Sequence, residues 1–325
     1  MQGQPGYRAN QVYEWIWQKS AVSFGEMSNI PKGLRSALES KFQFRNIAVH
    51  HRQESADGTV KFSFVLHDGH FIEGVLIPTE RRLTACISSQ VGCSLSCKFC
   101  ATGFLGRKRN LNPDEIYDQV VIIRNEALER YEKALTNIVF MGMGEPLLNY
   151  KNVLEAISRI TGEDGLGISS KRVTVSTAGV AKMIRKLGDD RVKFHLALSL
   201  HATTDEQRSR IMPVNDQNPL DDLLEALNYF YRQTKGRITF EYILFRGLND
   251  SIDDARRLVK ICRRVPARVN VIEYNAVEGA NFSRSDPDQK DRFVEHLHKN
   301  EVNASYRVSR GKDIDAACGQ LANKV

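Results

Sequence analysis

The stretch Cys93-Ser-Leu-Ser-Cys97-Lys-Phe-Cys100 brings three thiols into eight residues, just after Leu83 to Ser88, an apolar run that predicts a β-strand. Spacings of four and three residues let the three thiolates converge on one inorganic centre from a single loop. Cubane iron–sulfur clusters normally take four cysteine ligands, so three would leave one iron atom open to a small molecule with an amine and a carboxylate. The sequence therefore predicts one [4Fe–4S] cluster per chain, held by Cys93, Cys97 and Cys100.

Two other interpretations of these cysteines are weaker. A structural zinc site would need a fourth Cys or His at a short, regular spacing, and no His occurs between His70 and His195. A disulfide framework is typical of small secreted chains, whereas this sequence has 325 residues and no segment that resembles a secretory signal. A non-catalytic RNA-binding protein with a structural zinc ion is kept as the alternative.

The composition is that of a globular protein with a substantial core, because 42% of the residues are apolar and 26% are charged. No apolar run has the length of a membrane span, so we expect no membrane association. Six cysteines without an export signal favour a reducing, cytoplasmic location. The formal net charge of +7 favours a polyanionic partner such as RNA, and basic residues flank the cysteine loop (Arg107 to Arg109) and the last cysteine (Arg310 to Lys312).

The hydrophobic pattern divides the chain into four predicted parts. These are a helical accessory domain, a β-hairpin region, a core of repeated strand, loop and helix, and a C-terminal tail, over residues 1–48, 49–81, 82–312 and 313–325, respectively. In the first part, Leu34, Leu38 and Phe42 form a stripe at helical spacing. The hairpin pairs Val60 to Leu66 with Phe71 to Pro78.

Six units of strand and helix make up the predicted core, which favours an α/β fold with a parallel sheet. The predicted strands are Leu83 to Ser88, Asn137 to Met143, Arg172 to Thr177, Lys193 to Leu200, Ile238 to Phe245 and Arg268 to Tyr274, with a last short strand at Ser305 to Val308. Six units rather than eight indicate an incomplete (β/α)6 barrel, open on one side. In such barrels the chemistry lies at the carboxyl ends of the strands, where the three cysteines also fall.

Polar residues recur at these predicted strand ends. They are Gly144, Glu145, Ser176, Ser199, Leu200, His201 and Asn275. Gly144 would allow close approach of the backbone, and Glu145 offers a carboxylate to an ammonium group. The hydroxyl, imidazole and amide groups suit a ribose, a carboxylate or an adenine edge.

Four further residues outside this set carry groups that could take part in chemistry, namely one carboxylate and three thiols. Glu73 lies inside an apolar strand, where a lone carboxylate is expected to face solvent. Cys262 has the helical spacing of a buried apolar residue, and Cys86 lies on the first core strand. Cys318 lies among small residues of the tail, which would leave its thiol accessible.

Four stretches together resemble the RlmN family of dual-specificity radical S-adenosylmethionine (SAM) methyltransferases. They are Ser88 to Gly103, Gly142 to Pro146, Ser199 to His201, and Asp313-Ile-Asp-Ala-Ala-Cys-Gly-Gln-Leu321. The similarity extends from Tyr7 to the tail, and the last stretch is highly specific. It also leads us to expect that a short leading segment common in the family is missing before Met1.

The resemblance implies a methyltransferase that acts on C2 of adenine in 23S rRNA (peptidyl-transferase region) and in tRNA (3′ of the anticodon). It implies that Cys318 becomes S-methylcysteine, that Cys86 is a resolving thiol forming a transient disulfide with Cys318, and that Glu73 is the proton acceptor rather than a solvent-facing residue. The implied SAM contacts are Gly144, Glu145, Ser176, Ser199, Leu200, His201 and Asn275. We further expect a monomer served by an electron donor such as flavodoxin or ferredoxin. The alternative within this chemistry is the sister enzyme that methylates adenine C8.

Overall fold

The computed structural model describes residues 4–44 and 47–323. In this part of the chain the α-helices are α1 (Tyr7–Trp17), α2 (Lys32–Glu39), α3 (Ala101–Phe104), α4 (Pro113–Tyr131), α5 (Tyr150–Thr161), α6 (Ala181–Asp189), α7 (Asp205–Ile211), α8 (Leu220–Thr234), α9 (Ile252–Arg264) and α10 (Pro287–Lys299). The strands are β1 (Ala48–Glu54), β2 (Val60–Val65), β3 (Phe71–Pro78), β4 (Leu83–Cys86), β5 (Gln90–Val91), β6 (Arg109–Asn110), β7 (Asn137–Phe140), β8 (Val173–Thr177), β9 (His195–Ser199), β10 (Ile238–Leu244), β11 (Ala267–Glu273) and β12 (Ala304–Arg307). None of these helices has the length and apolar content that crossing a bilayer would require.

One large sheet organises the molecule, with strand order β1-β2-β3-β4-β7-β8-β9-β10-β11-β12. Strands β1 to β4 pair antiparallel, whereas β4 and β7 to β12 pair parallel. Apolar side chains of the parallel strands and of the connecting helices form a single hydrophobic cluster, as expected where helices cover a parallel sheet. The predicted α/β fold is confirmed, and β12 adds a seventh parallel strand to the six repeated units.

The antiparallel part differs from the predicted hairpin because a further strand precedes β2 and β3. The additional strand, β1, has the sequence Ala-Val-His-His-Arg-Gln-Glu, and most of its residues are exposed. It lacks the apolar alternation that identifies a half-buried strand, so the sequence pattern could not reveal it. The expected helical stripe is also too long, since α2 ends at Glu39 and Phe42 is 61% exposed.

The N-terminal helices have their own small hydrophobic cluster, which includes Phe24, Met27 and Ile30. They contact the larger core at α4, where the rings of Trp17 and Tyr117 meet edge to face with centroids 5.0 Å apart. A cleft with a volume of about 870 Å³ and mainly apolar walls lies between these helices and α4. No cysteine lines this cleft among the described residues.

The C-terminal segment after β12 crosses from one end of the sheet towards the other. Gly311 N donates to Asp57 Oδ2 at 3.0 Å, and Ser55 Oγ donates to Asp313 Oδ1 at 2.5 Å. These bonds attach the segment to the turn between β1 and β2. The segment thereby places the residues around Cys318 over the carboxyl ends of the parallel strands.

Candidate active site

A cavity of about 150 Å³ lies at the carboxyl ends of the parallel strands. Its walls contain most of the residues that the sequence singled out. These are Cys93, Cys97, Cys100, Gly144, Glu145, Ser176, Ser199, His201 and Cys318. Residues from the cysteine loop, from the ends of β7, β8 and β9, and from the tail therefore meet at one place.

The cysteine loop follows β5 and depends on two glycines. Gly92 has a φ of +72°, and a Cβ atom there would lie 1.8 Å from the carbonyl oxygen of Gly106. A Cβ on Gly103 would lie 2.9 Å from the carbonyl oxygen of Cys97. These contacts require glycine at both positions, so the flanking glycines hold the loop that carries the thiols.

The three thiols are buried enough to resist ionisation. Burial raises the pKa of Cys93 to about 11, and it also raises the pKa of Cys97 and of Cys100 above the ordinary thiol value. A thiolate in such surroundings is favourable only beside a positive charge, which a bound metal supplies. The donor set and its environment therefore fit a thiolate-ligated metal centre.

The three thiols line one common cavity. Across residues 4–44 and 47–323, no three His, Cys, Asp or Glu side chains converge closely enough to hold a single metal ion. A cubane is wider than one ion, so its cysteine ligands line a cavity instead of meeting at a point. Cys93, Cys97 and Cys100 are arranged in this way.

Glu145 lies beside the cysteines in a fixed orientation. Its Oε1 accepts a hydrogen bond from Leu147 N at 3.0 Å, and its Oε2 accepts one from Ala178 N at 2.7 Å. Burial raises the pKa of this carboxyl group despite both bonds. Gly144 has a φ of +94°, and a Cβ there would lie 2.5 Å from Gln90 Cβ. Only glycine therefore allows the backbone at position 144 to approach Gln90 this closely.

His201 has a positive φ of 53°, which turns the chain sharply after β9. Its Nδ1 accepts a hydrogen bond from Ile243 N at 3.1 Å, so the ring is held in one orientation. Burial, reinforced by the charge of Arg208, lowers the pKa of His201 to about 3. The imidazole is therefore neutral and available for hydrogen bonding or stacking at physiological pH.

Two predicted SAM contacts do not line the cavity with their side chains. Leu200 has no exposed surface and packs in the main hydrophobic cluster. Asn275 donates from Nδ2 to the carbonyl oxygen of Cys318 at 3.3 Å. Its Oδ1 is buried and has no hydrogen-bond partner among the described residues, so it can still accept a bond from a ligand.

The two cysteines of the predicted disulfide are both reduced in this structure. Cys318 is exposed in the cavity, whereas Cys86 is buried on β4. Burial raises the pKa of the Cys86 thiol, and a charge on Cys318 would raise it further. Cys262 is partly buried on α9 against the core, away from the cavity.

Glu73 does not face solvent, and this contradicts what the strand pattern alone suggested. It has no exposed surface; its Oε1 lies 3.6 Å from Lys61 Nζ, and its Oε2 accepts a hydrogen bond from Ala322 N at 2.8 Å. Burial raises the pKa of Glu73, and the charge of Lys61 opposes this shift. The carboxyl group is covered by the C-terminal segment.

Two residues of the site escaped the sequence analysis. Glu241 is a buried carboxyl group in the cavity wall, and Arg208 has a fully buried guanidinium that donates to the carbonyl oxygen of Ser199, a residue of the same wall. Glu241 alternates with apolar residues within β10, where an isolated carboxylate usually marks a solvent-facing position. Arg208 lies among polar residues of α7, so nothing in its neighbourhood predicted burial.

Comparison with known proteins identifies the family. The Radical SAM superfamily model matches residues 87–259, and the model of the ribosomal RNA large subunit methyltransferase N-terminal domain matches residues 1–43. The chain is 55% identical to a probable dual-specificity RNA methyltransferase RlmN of Cytophaga hutchinsonii, across 99% of this chain and 88% of the relative. It is 53% identical to a protein of the same description from Christiangramia forsetii, across 99% and 92% of the two chains.

A solved structure shows the same fold over nearly the whole chain. The radical SAM methyltransferase from Sphaerobacter thermophilus is 39% identical and superposes with a TM-score of 0.93, which covers 98% of this chain and 94% of the other. The predicted radical SAM fold is thus confirmed, and the chain is an RNA methyltransferase by its relatives. It belongs to the RlmN family of dual-specificity RNA methyltransferases within the radical SAM superfamily.

Proposed function

We propose that the protein methylates C2 of adenine in 23S rRNA and in tRNA, and that Cys318 carries the methyl group. One observation supports this most strongly: the Cys318 thiol lines the same cavity as Cys93, Cys97 and Cys100. Adenine C2 is the electron-poor carbon of an amidine and cannot attack a sulfonium methyl group. A carrier thiol beside a radical-generating centre would overcome this lack of nucleophilicity, because the methyl carbon would reach C2 as a radical.

One [4Fe–4S] cluster would be held by Cys93, Cys97 and Cys100, as superfamily membership implies a cluster and SAM. When bound, the cluster and SAM supply a transferable methyl group and, after reduction, a carbon-centred radical. The three thiols, whose pKa values burial raises, fit a centre whose metal ions stabilise the thiolate form. We propose a flavodoxin or ferredoxin as the source of the electron.

SAM would be held by the strand-end residues around the cavity. Glu145 can accept a hydrogen bond from the SAM ammonium group on the lone pairs that its backbone partners leave free. The free Oδ1 of Asn275 can accept one from an amino group. The remaining proposed contacts are Gly144, Ser176, Ser199, Leu200 and His201; for Leu200 the contact would come from its backbone.

Cys318 would accept the methyl group on Sγ and deliver its carbon to adenine. Cys86 would then release the methylated base from Cys318 by forming a transient disulfide with it. The effect of a charge on Cys318 on the pKa of Cys86 supports this pairing. The burial of Cys86 supports it too, because a shielded resolving thiol avoids premature oxidation.

Glu73 would accept the proton that leaves adenine C2. In the described conformation its carboxyl group is occupied by Ala322 N and Lys61. The residues that follow Cys318 must therefore move away from β3 before Glu73 can meet a substrate. Because those residues adjoin Cys318, a displacement of the tail would expose the proton acceptor and move the carrier thiol at the same time.

RNA is the partner that the family implies. The net charge of +7 suits a phosphate backbone. Arg310 is placed for such contacts, since it borders the tail and its guanidinium touches only the carbonyl oxygen of Asp57 at 3.4 Å among its described hydrogen bonds. We propose that the protein acts as a monomer in the cytoplasm.

The decisive experiment is anaerobic turnover with SAM, a reductant and fragments of 23S rRNA or tRNA, followed by mass analysis of the nucleosides. The wild type is expected to form 2-methyladenosine. Cys318→Ala should bind SAM but form no methylated adenine, whereas Cys262→Ala, which removes a thiol outside the cavity, should match the wild type. Product formation by Cys318→Ala would refute the carrier role, and methylation at C8 would assign the chain to the sister activity.

A further inference from the structure

Glu241 is a buried carboxyl group that none of the roles above uses. It lies in β10, in register with Ser199 of β9 on one side and Asn270 of β11 on the other. Side chains in register on neighbouring parallel strands point to the same face of a sheet. Glu241 and Ser199 accordingly line the same cavity, and Glu241 is only 8% exposed.

Hydrogen bonds fix the orientation of this carboxyl group. Asn270 Oδ1 accepts from Ser305 Oγ and from Arg307 Nε, both at 3.1 Å. The amide group of Asn270 must therefore present Nδ2 on its other side, where it donates to Glu241 Oε1 at 2.8 Å. Within residues 4–44 and 47–323, the structure gives the second oxygen of Glu241, Oε2, no hydrogen-bond donor.

The charge of Glu241 acts on the carrier thiol, with which it shares the cavity. Burial, and next the charge of Glu241, raise the pKa of Cys318 to about 11. Burial raises the pKa of Glu241 to about 7, against the Asn270 bond and the charge of Arg307. Near neutral pH the carboxyl group can therefore both take up and release a proton, while the thiol keeps its own.

A thiol that stays protonated is a poor nucleophile, because the thiolate is the reactive species. Methylation of Cys318 by a sulfonium methyl group is therefore served by a base that lines the same cavity. We infer that Glu241 is this base, and that it removes the Sγ proton of Cys318 as the thiol is methylated. The inference rests on the function proposed above.

The step balances as follows. A lone pair of Cys318 Sγ forms the new S–C bond, and the bond between the methyl carbon and the SAM sulfur breaks, leaving its electron pair on S-adenosylhomocysteine. The S–H bond of Cys318 breaks, and the proton passes to Glu241 Oε2. The negative charge of the carboxylate and the positive charge of the sulfonium are thereby both neutralised, and Glu241 later returns the proton to water.

The first test measures a single methyl transfer to Cys318 in cluster-containing protein, with SAM but without RNA or reductant. The starting protein must carry a free Cys318 thiol by intact mass, and the reaction is followed by the mass of the Cys318 peptide. Glu241→Gln should lower the rate about 100-fold, as for loss of a general base. The substituted amide can still accept the Asn270 bond, and Glu241→Asp, which keeps a carboxylate, should give an intermediate rate.

The matched control is Asp118→Asn. Asp118 is another carboxyl group whose pKa burial raises to about 7, but it lies on α4 and lines the cleft of the N-terminal helices. This variant should methylate Cys318 at the wild-type rate. Its use separates a specific role of Glu241 from the general effect of neutralising a buried acid.

The pH profile is the readout that a merely structural role would not change. The wild-type rate should rise through about pH 7 and then level off, whereas the Glu241→Gln rate should keep rising towards the ionisation of Cys318. Other titratable groups also line the cavity: His201 stays neutral because its pKa is about 3, and Glu145, whose pKa burial raises, is unchanged in the variant. An inflection near pH 7 that persists in Glu241→Gln would overturn the inference.

A second readout uses protein without SAM. Glu241→Gln removes a negative charge that opposes the Cys318 thiolate, so alkylation of Cys318 by iodoacetamide at pH 8 to 9 should become faster while methyl transfer becomes slower. A fall in both rates would indicate a general structural loss and would overturn the inference. The inference would also be overturned if Glu241→Gln bound SAM more weakly but methylated Cys318 at the wild-type rate when saturated with SAM. No methylation of Cys318 in the wild type would overturn the proposed function as well.

Discussion

Replacement of Arg208 tests how the cavity is held together. Arg208 has no exposed surface, and its guanidinium donates to the carbonyl oxygens of Ala178, Ser199 and Leu200 and to Asn215 Oδ1. These carbonyl groups belong to the chain at the ends of β8 and β9. One buried side chain therefore fixes two of the strand ends that form the cavity.

The magnitude of Arg208→Met follows from two opposing terms. Four hydrogen bonds from a charged donor contribute about 1.5 kcal/mol each, or about 6 kcal/mol together. Burial lowers the pKa of Arg208 from 12.5 to about 10, which corresponds to a cost of about 3 kcal/mol for keeping it charged. The variant should therefore lose about 3 kcal/mol of unfolding free energy.

The assay is urea unfolding followed by far-UV circular dichroism, at equal cluster content for all variants. Arg208→Lys should lose nearly as much stability as Arg208→Met, because an ammonium group cannot reproduce the planar fork of donors. Arg256→Met is the control: Arg256 is exposed on α9 beside Asp253, and its loss should cost less than about 0.5 kcal/mol. An Arg208→Met protein within about 1 kcal/mol of the wild type would refute the reasoning.

Two further predictions concern the cysteine loop and a buried acid. Gly92→Ala should fail to retain iron and sulfide after reconstitution, because the added Cβ would collide with Gly106. The control is Gly69→Ala: Gly69 has a similar φ of +79° but open space around it, so this variant should retain both iron and sulfide. Normal iron content in Gly92→Ala would contradict the steric argument. Asp118→Asn should be more stable than the wild type by about 1–3 kcal/mol at pH 8, and this difference in unfolding free energy should shrink towards pH 4. The reason is that the folded protein holds a proton on Asp118 up to about pH 7, whereas the unfolded chain loses it near pH 4. Urea unfolding at the two pH values measures this, and a difference independent of pH would contradict it.

The parts of the fold and site that sequence could predict are those with a local signature. The parallel strands have continuous apolar runs, and Cys93, Cys97 and Cys100 are close enough in sequence for one short loop to bring their thiols together. The rule that chemistry lies at the carboxyl ends of parallel strands then located Glu145 and His201, both of which line the cavity.

Other parts could not be predicted because their neighbours are distant in sequence. The charge of Glu73 suggested a solvent-facing residue. Its carboxyl group is instead enclosed by Lys61 of the neighbouring strand and by Ala322, which lies 249 positions further along the chain. Strand β1 is polar, and besides pairing with β2 it forms ion pairs from Arg52 to Glu126 and from Glu54 to Arg130, both of which lie more than 70 positions away on α4.

The sequence by itself determined the thiol loop, the alternation of strands and helices and the glycines that bend the backbone, since each of these depends on neighbours a few residues apart. Tertiary structure alone decided that Cys318 shares a cavity with the three loop cysteines, and that Glu241 is a buried acid beside it. The reason is physical: the ionisation of a group and its reach depend on what surrounds it in space, and here the C-terminal segment and the ends of separate strands supply those surroundings.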